Sequence, residues 1–308
     1  MKILVTGGAG FIGSHVVDAF VAGGHDVIAL DDLSTGHRLN VNPRARLVVM
    51  DVRDDRVRDL LEAERPEVVD HHAAQINVRV SVAEPRRDAD VNILGTLNLL
   101  ESAAAAGTRR IIFASTGGAI YGEQEYFPAD ENHPMRPVSP YAISKRTAEE
   151  YTEFFRRTRG IEMAVLRYAN VYGPRQDPHG EAGVVAIFTA AMSEGRSPTI
   201  FGDGEQTRDF VHVADVARAN VAALSSPSGE TCNIGTGMET SVNQLYAIIA
   251  DAIGFRGAPV HAAPKEGDIP RSCISARRAE EVLGWQPEVG LRDGLRWTVE
   301  ALTTGGVR

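Results

Sequence analysis

Tyr141 and Lys145, a tyrosine and a lysine four residues apart, are the side chains in this sequence best suited to proton transfer. They follow Ser139-Pro140, a typical helix start, so positions i and i+4 share one helix face. A free phenol has a pKa of about 10, which must fall by about three units before the group can act as a base near neutral pH. A neighbouring ammonium and a positively charged ring of a bound ligand could together lower that pKa, because both favour the phenolate. The pair therefore predicts a general base, although the same spacing also occurs by chance on exposed helices.

Two hydroxyl groups stand at the end of the apolar run RRIIFAS at 109–115. Ser115 and Thr116 are followed by two glycines. In a parallel sheet, ligands bind at the carboxyl ends of the strands, and a hydroxyl there can bond a substrate oxygen. Because the tyrosine helix should begin close by in space, we expect this strand end to share a site with Tyr141. A plain turn is the alternative.

A glycine cluster near the N-terminus, GGAGFIG, separates a strand-like run at 2–6 from a helical stretch. Glycine permits a tight turn and lets backbone N–H groups approach a pyrophosphate, and the helix N-terminus adds partial positive charge. Asp31 ends the next strand, 18 residues after Gly13. Its carboxylate can accept hydrogen bonds from both hydroxyls of a ribose and would repel a 2′-phosphate. The cluster predicts a dinucleotide site, with NAD favoured over NADP, held by Gly7, Gly10, Phe11, Ile12, Gly13 and Asp31.

Asp51 and Val52 follow the third strand-like run and are placed to meet the adenine ring. A helix cap before Arg53-Asp54 is an equally good interpretation of Asp51 from spacing alone.

Strands and helices alternate along the first half of the chain, with strand-like runs at 2–6, 26–30, 46–50, 67–72, 109–115 and 161–168. Long helices are expected at 85–106 and from Pro140. This alternation predicts an α/β fold, a Rossmann-type doubly wound parallel sheet. After residue 170 the rhythm breaks at a Pro- and Gly-rich stretch, expected to be a long loop or lid. We predict a NAD-binding domain over 1–170, to which parts of 210–240 return, and a smaller interleaved α/β substrate lobe over 171–308.

The composition is that of a soluble globular protein, with 43% hydrophobic and 24% charged residues among 308. A net charge of −9 disfavours nucleic acid and membrane as partners. Cys232 and Cys273 lie in unrelated contexts, which predicts neither a disulfide framework nor zinc. His71 and His72 are interpreted as sheet residues because they should point to opposite faces, so no metal is expected. Without a signal peptide or a run of about 18 apolar residues, the expected location is the cytoplasm.

These residues together resemble the extended short-chain dehydrogenase/reductase family, and within it the UDP-glucose 4-epimerases. The resemblance covers nearly the whole chain through the motifs TGGAGFIGSH, DDLSTG, HHAAQ, DADVNILGT, STGGAIYG, SPYAISK, RYANVYGPRQDP, IFGDGEQTRDFVHVADVA, CNIGTG and EGDIPRSC. It implies an NAD-dependent inversion at C4 of a UDP-hexose through a 4-keto sugar. Tyr141 would take the 4-hydroxyl proton, and Lys145 would hold the nicotinamide ribose and lower the tyrosine pKa. Thr116 would bond the 4-oxygen, with Ser115 as the competing choice.

The resemblance also implies further contacts. Asn92 would lie near the nicotinamide ribose, Tyr168 beside the nicotinamide, and Asn170 at the sugar-nucleotide diphosphate. Arg208 would bind a phosphate, against the alternative of an ion pair with Asp209 or Asp215. The 184–188 stretch and Phe201 would frame the uracil, Asp268 would bind the uridine ribose, and a homodimer is expected. The remaining expected contacts are Asp32, Ala73, Ala74 and Gln75 for the cofactor, and Arg175, Val185, Lys265 and Ser272 for the substrate.

Several positions depart from the family pattern. Asp32 stands where relatives carry Asn, and Lys265 where they usually carry Arg, which keeps the charge but loses the bidentate fork. Ser272 replaces a bulky tyrosine of some relatives, which suggests room for N-acetylhexosamines. A 4,6-dehydratase is disfavoured because Gly117-Gly118 replaces its Asp-Glu pair. A UDP-glucuronate 4-epimerase, with Arg175 facing the carboxylate, and a non-catalytic NAD-binding sensor remain alternatives.

Overall fold

The computed structural model describes residues 1–178, 183–264 and 269–304, and its centre is a parallel β-sheet. Seven strands of this part of the chain form the sheet, in the order β3-β2-β1-β4-β5-β6-β10. The predicted doubly wound parallel sheet is confirmed. The strands are β1 Lys2–Thr6, β2 Asp26–Asp31, β3 Arg46–Val49, β4 Val68–His71, β5 Arg110–Thr116, β6 Glu162–Tyr168, β7 Asn170–Tyr172, β8 Thr199–Phe201, β9 Thr207–His212, β10 Glu230–Ile234, β11 Glu239–Ser241, β12 Val260–Ala262 and β13 Arg271–Ser272.

Helices cover both faces of this sheet and fill the second lobe. The predicted helix over 85–106 is interrupted by a π-helical turn at Asp90–Leu94. The helix expected at Pro140 begins there, because the Ser139 side chain accepts a hydrogen bond from the amide of Ala142 (3.2 Å). The helices are α1 Phe11–Ala22, α2 Arg56–Glu64, α3 Val78–Ala83, α4 Pro85–Ala89, α5 Gly95–Ala106, α6 Pro140–Arg159, α7 Val184–Ser193, α8 Val213–Ala223, α9 Val242–Ile253, α10 Arg277–Leu283 and α11 Leu291–Thr303.

Alternate residues of each central strand enter the two hydrophobic cores on opposite faces of the sheet. In β1, Ile3 and Val5 join the core that contains Val16 and Phe20 of α1, and Leu4 joins the core beneath α2 and α5. Burying such a side chain contributes about 1.5–3 kcal/mol relative to leaving it exposed. Because both faces are covered, the strands read as continuous apolar runs rather than as alternating ones.

The smaller lobe is built around β9, which pairs with β7, β11 and β13. A separate core of Tyr172, Phe188, Phe210 and Leu245 holds this lobe together. The stretch expected to be a long loop therefore begins with a short strand, β7, that leads directly out of β6. Because β10 pairs with β6, the chain returns to the large sheet after β9. No helix within the described ranges is long and apolar enough to cross a membrane.

Candidate active site

The glycine cluster between β1 and α1 forms a loop into which no side chain fits without a shift. Gly7 has φ of +67°, and a Cβ there would lie 2.8 Å from the amide nitrogen of Ala73. A Cβ on Gly13 would lie 2.2 Å from the carbonyl oxygen of Gly7. Gly10 forms the N-cap of α1 without a side-chain cap. The loop therefore leaves backbone N–H groups and a helix N-terminus open to a phosphate.

A cavity of about 630 Å³ runs from this loop across the carboxyl ends of the strands to α6. Its shape and lining fit an extended dinucleotide. Seventeen of the residues expected from the sequence line it: Gly7, Gly10, Phe11, Ile12, Gly13, Asp31, Asp32, Asp51, Val52, Ala73, Ala74, Gln75, Ser115, Tyr141, Lys145, Tyr168 and Arg175. Other lining residues were not predicted individually. Met50, Arg53 and His72 are adjacent in sequence to predicted residues, and Ser34, Thr35, His37 and Asn40 lie in the segment after β2.

The carboxylate of Asp31 is fixed at the adenosine end of the cavity by two backbone amides. Its oxygens accept from Ala9 (2.9 Å) and Leu33 (2.8 Å). Burial raises the pKa of Asp31, and these two hydrogen bonds oppose the rise. Each carboxylate oxygen keeps a further acceptor site for a ribose hydroxyl, so the geometry fits an unphosphorylated adenosine ribose.

Asp51 lies at the same end and forms an ion pair with Arg53 (2.5 Å). The same guanidinium contacts Asp90 (2.5 Å) at the π-helical turn. The next helix, α2, begins later, with Asp55 at its N-cap. Asp51 therefore does not cap that helix, and its position on the cavity wall is consistent with the predicted adenine contact.

Tyr141 and Lys145 lie side by side at the opposite end of the cavity. Lys145 is buried, donates to the carbonyl oxygen of Ala114 (2.9 Å) and stands 4.9 Å over the Phe113 ring. Burial lowers the pKa of Lys145 to about 8, against the opposing charges of Asp88 and Glu149. Its ammonium form thus persists at neutral pH.

In the protein without a bound cofactor, the phenol of Tyr141 is harder to ionise than that of a base which works near neutral pH. Burial raises its pKa to about 12, the charge of Asp88 adds to the rise, and a hydrogen bond with Thr116 opposes it. Lys145 alone therefore does not lower the pKa of Tyr141 to the expected range. A positively charged nicotinamide ring facing the phenol is a favourable charge that could supply the difference.

The two hydroxyls at the end of β5 point to different partners. Ser115 donates to Glu149 (2.5 Å), a carboxylate that is also bound by Arg167 (2.7 Å). The hydroxyl of Thr116 instead lies near enough to the phenol of Tyr141 to oppose the rise of its pKa. The hydroxyl of Ser115 thus bonds a carboxylate of an ion pair, and that of Thr116 lies near the phenol of Tyr141, whereas Ser115 is the one of the two that lines the cavity.

Asn92 is placed behind the cavity wall rather than on it. Its amide oxygen accepts from the backbone of Gln75 (2.8 Å), and its amide nitrogen donates to the carbonyl of Gln75 (2.9 Å) and to Asp88 (3.0 Å). Its side chain therefore holds the loop that follows β4, instead of lying free beside a ribose. The buried carboxylate of Asp88 was not singled out from the sequence.

The expected substrate residues cluster on the small sheet next to the catalytic end. Ser272 of β13 pairs with Arg208 of β9, and Asn170 of β7 pairs with Phe210. The amide of Asn170 lies 3.4 Å from where a Cβ of Gly118 would stand, beside the end of β5. Arg208 donates to the carbonyl of Thr207 (2.8 Å). The small sheet thus begins beside the carboxyl end of β5.

The other expected substrate residues are less directly placed. Val185 is buried in the core of the small lobe, with its neighbour Phe188, and Phe201 ends β8. Neither Val185 nor Phe201 is among the residues that line the dinucleotide cavity. Lys265 and Asp268 lie outside the described residues.

Arg175 adopts a left-handed conformation with φ of +67° and reaches back to α1. Its guanidinium contacts Asp18 (2.7 Å) and Ser14 (3.1 Å). Arg175 therefore lines the cavity from the side of the glycine loop. This placement removes the geometric support for a role opposite a substrate carboxylate.

Comparison with known proteins identifies the family of the chain. Residues 3–235 match the model of the NAD-dependent epimerase/dehydratase family. A relative described as a putative UDP-glucose 4-epimerase from Methanocaldococcus jannaschii is 53% identical over 96% of this chain and 97% of its own. The UDP-glucose 4-epimerase of Thermotoga maritima, solved with UDP-glucose, superimposes with a TM-score of 0.97 at 50% identity, over 99% of both chains.

The UDP-glucose 4-epimerase of Thermus thermophilus, solved in complex with NAD, gives a TM-score of 0.93 at 45% identity, over 98% of this chain and 99% of the other. The family description confirms NAD as the predicted cofactor. With a glycine loop, a buried Asp31 and a Tyr-Lys pair around one cavity, the chain is an enzyme that belongs to the NAD-dependent epimerase/dehydratase family.

Proposed function

We propose that this chain is an NAD-dependent UDP-hexose 4-epimerase, which interconverts UDP-glucose and UDP-galactose. The observation that carries the proposal is the position of Tyr141, near Thr116 and beside Lys145, at one end of a cavity whose other end is the glycine loop. High identity to named UDP-glucose 4-epimerases over the full chain supports the same substrate class.

Each residue at the catalytic end has a separate task. Bound NAD⁺ supplies the chemistry at C4 by accepting a hydride and returning it, so the reaction has no net redox change. Tyr141 as phenolate removes the proton from the 4-hydroxyl and gives it back after the keto sugar has turned over. Thr116 bonds the same oxygen, and Lys145 keeps a positive charge beside the phenolate.

The direct test is incubation of the purified protein with UDP-galactose, without added cofactor, followed by separation of the C4 epimers. We expect UDP-glucose to accumulate to equilibrium, and NAD to be recovered from the denatured protein. A protein that retains NAD but leaves UDP-galactose unchanged would refute the epimerase assignment and favour a sensor.

The contrast between Thr116 and Ser115 gives a separate prediction. Thr116→Val removes a hydroxyl that bonds Tyr141, and we expect kcat to fall by about 10- to 100-fold, the loss of one positioned hydrogen bond in the transition state.

Ser115→Ala serves as the comparison, because it removes a hydroxyl that bonds Glu149 instead. Its effect should appear mainly as a lower melting temperature, with kcat within about threefold of the parent. If the two variants exchanged these effects, Ser115 would be the residue at the sugar oxygen.

Two other activities of the fold have less support. Gly117 and Gly118 stand where a dehydratase carries its acidic pair, and a Cβ on Gly117 would require the terminal methyl of Ile274, 2.5 Å away, to shift. Arg175, the residue expected to face a glucuronate carboxylate, is paired with Asp18. Both observations favour neutral hexoses and epimerisation without elimination.

The proposal includes N-acetylhexosamines as second substrates. Ser272 is buried next to Arg208 on the small sheet, and its side chain is smaller than the tyrosine that some relatives carry there. We expect Ser272→Tyr to abolish turnover of UDP-GlcNAc while UDP-galactose turnover stays within about tenfold, because the added ring excludes only the acetamido group. Equal losses on both substrates, or no UDP-GlcNAc turnover by the parent, would contradict the role of Ser272.

A cytoplasmic homodimer and a division of the chain near residue 170 complete the proposal. Support for the dimer comes from apolar side chains on the α5–α6 side, where Leu94, Ile143 and Phe154 are at least half exposed. Sedimentation of the purified protein at twice the chain mass would support it.

A further inference from the structure

Beneath the catalytic helix lies a carboxylate that the proposed mechanism does not use. Asp88, at the end of α4, is completely buried. It accepts hydrogen bonds from the amide of Gln75 (2.9 Å), the amide of Asn92 (3.0 Å) and the hydroxyl of Ser144 (2.6 Å). All three donors are neutral side chains. The three hydrogen bonds replace hydration that the carboxylate loses on burial.

The three donors belong to three different parts of the site. Gln75 lies on the cavity wall in the loop after β4, and Asn92 belongs to the π-helical turn before α5. Ser144 is on α6, adjacent in sequence to Lys145. Gln75 and Asn92 are also joined to each other by two hydrogen bonds. Asp88 therefore connects a wall of the cofactor cavity to the helix that carries the catalytic pair.

The charge of Asp88 also acts on that pair. Burial is the largest influence on both pKa values, and the negative charge of Asp88 raises the pKa of Tyr141 and that of Lys145. Glu149 on α6 acts on Lys145 in the same sense, and His71 on β4 feels the charge of Lys145. The guanidinium-bearing residues of α3 and α4 nearest in sequence are exposed: Arg79, Arg86 and Arg87.

We propose that Asp88 is a positioning residue of the reaction, which fixes the catalytic helix against the cofactor wall and sets the pH range over which Tyr141 and Lys145 work. The inference rests on the proposed function. The carboxylate of Asp88 favours the ammonium form of Lys145. It also makes Tyr141 a stronger base once the phenolate has formed. Asp88 contacts neither the substrate nor a reacting atom, because its carboxylate oxygens already accept hydrogen bonds from Gln75, Asn92 and Ser144.

The test is the pH profile of kcat/KM for UDP-galactose with Asp88→Asn, measured on the NAD-loaded enzyme. Asparagine keeps the shape and an acceptor oxygen for Gln75 and Asn92, but removes the charge. We expect the limb that rises with pH to move to lower pH by about one unit, the effect of one charge acting over roughly 10 Å at an effective dielectric constant of about 20. The limb moves that way because loss of a negative charge lowers the pKa of Tyr141.

Ser144→Ala is the matched variant, because it removes one hydrogen bond to Asp88 and leaves the charge. We expect a several-fold lower kcat with the limb in its parental place. If the rising limb of the pH profile stays in its parental place in Asp88→Asn, the electrostatic role of Asp88 is overturned, whatever the change in kcat. If Asp88→Asn does not fold, an unchanged kcat in Ser144→Ala would overturn the positioning role. An inactive parent enzyme would instead refute the proposed function, so the two failures are distinguishable.

Discussion

Replacement of Tyr141 by phenylalanine is expected to lower epimerase activity by about a thousandfold, within the range of roughly 10²–10⁴ for loss of a positioned acid–base group. The hydroxyl bonds Thr116 and lies beside Lys145, and among the described residues the other phenol that lines the cavity is that of Tyr168. The hydroxyl of Tyr168 is bonded to Asn220 (3.0 Å), and burial holds its pKa well above the usual value. Because its hydroxyl is already bonded to Asn220, Tyr168 is less suited than Tyr141 to act as the base.

The same substitution should leave the cofactor bound, because the ring of Tyr141 remains and the glycine loop is unchanged. NAD recovered per chain after denaturation measures this directly. Tyr126→Phe is the control, since Tyr126 is 41% exposed and bonds only Asp130 in the described structure; it should retain full activity. Retained activity in the Tyr141 variant would mean that another group removes the proton and would overturn the mechanism.

The large sheet and the cofactor end were predictable because local sequence determines them. The runs KILVT and DVIALD can only be buried strands, since every residue of each is apolar or placed at a strand end. Gly7 and Gly13 were identifiable from a glycine cluster between a strand and a helix, and the φ of +67° at Gly7 and the 2.2 Å contact of a Cβ on Gly13 show why glycine is needed there. Asp31 followed from its position at the end of β2. Each of these features depends on a few neighbouring residues.

The catalytic end was predictable only in part because its details depend on contacts between distant segments. Ser115 and Thr116 are adjacent, and which hydroxyl faces Tyr141 depends on the ion pair of Glu149 and Arg167 below β5. Asp88 bonds Ser144, 56 residues away, and so had no local signal. The π-helical turn at Asp90–Leu94 breaks a run that reads as one continuous helix. Pairing of this kind cannot be read from periodicity.

Gly13→Ala is expected to weaken NAD binding by about 10- to 100-fold. The new Cβ would lie 2.2 Å from the carbonyl oxygen of Gly7, which also accepts the amide of Gly10 (3.0 Å) and so closes the loop. One of these backbone groups must move. Overpacking of this kind costs about 1–3 kcal/mol. Every 1.4 kcal/mol by which it destabilises the NAD-bound protein relative to the free protein lowers the affinity for NAD about tenfold. Titration of the stripped protein with NAD measures the change.

Gly290→Ala is the matched control, because a Cβ there meets nothing within 4 Å and its φ is −64°. It should bind NAD as the parent does. Gly13→Ala should also lose epimerase activity without added NAD and regain much of it at high NAD, because Tyr141, Thr116 and Lys145 are untouched. Rescue separates loss of cofactor from loss of catalysis. Parental NAD affinity in Gly13→Ala would show that the loop can relax around a methyl group, and the pyrophosphate would then have to be bound elsewhere in the cavity.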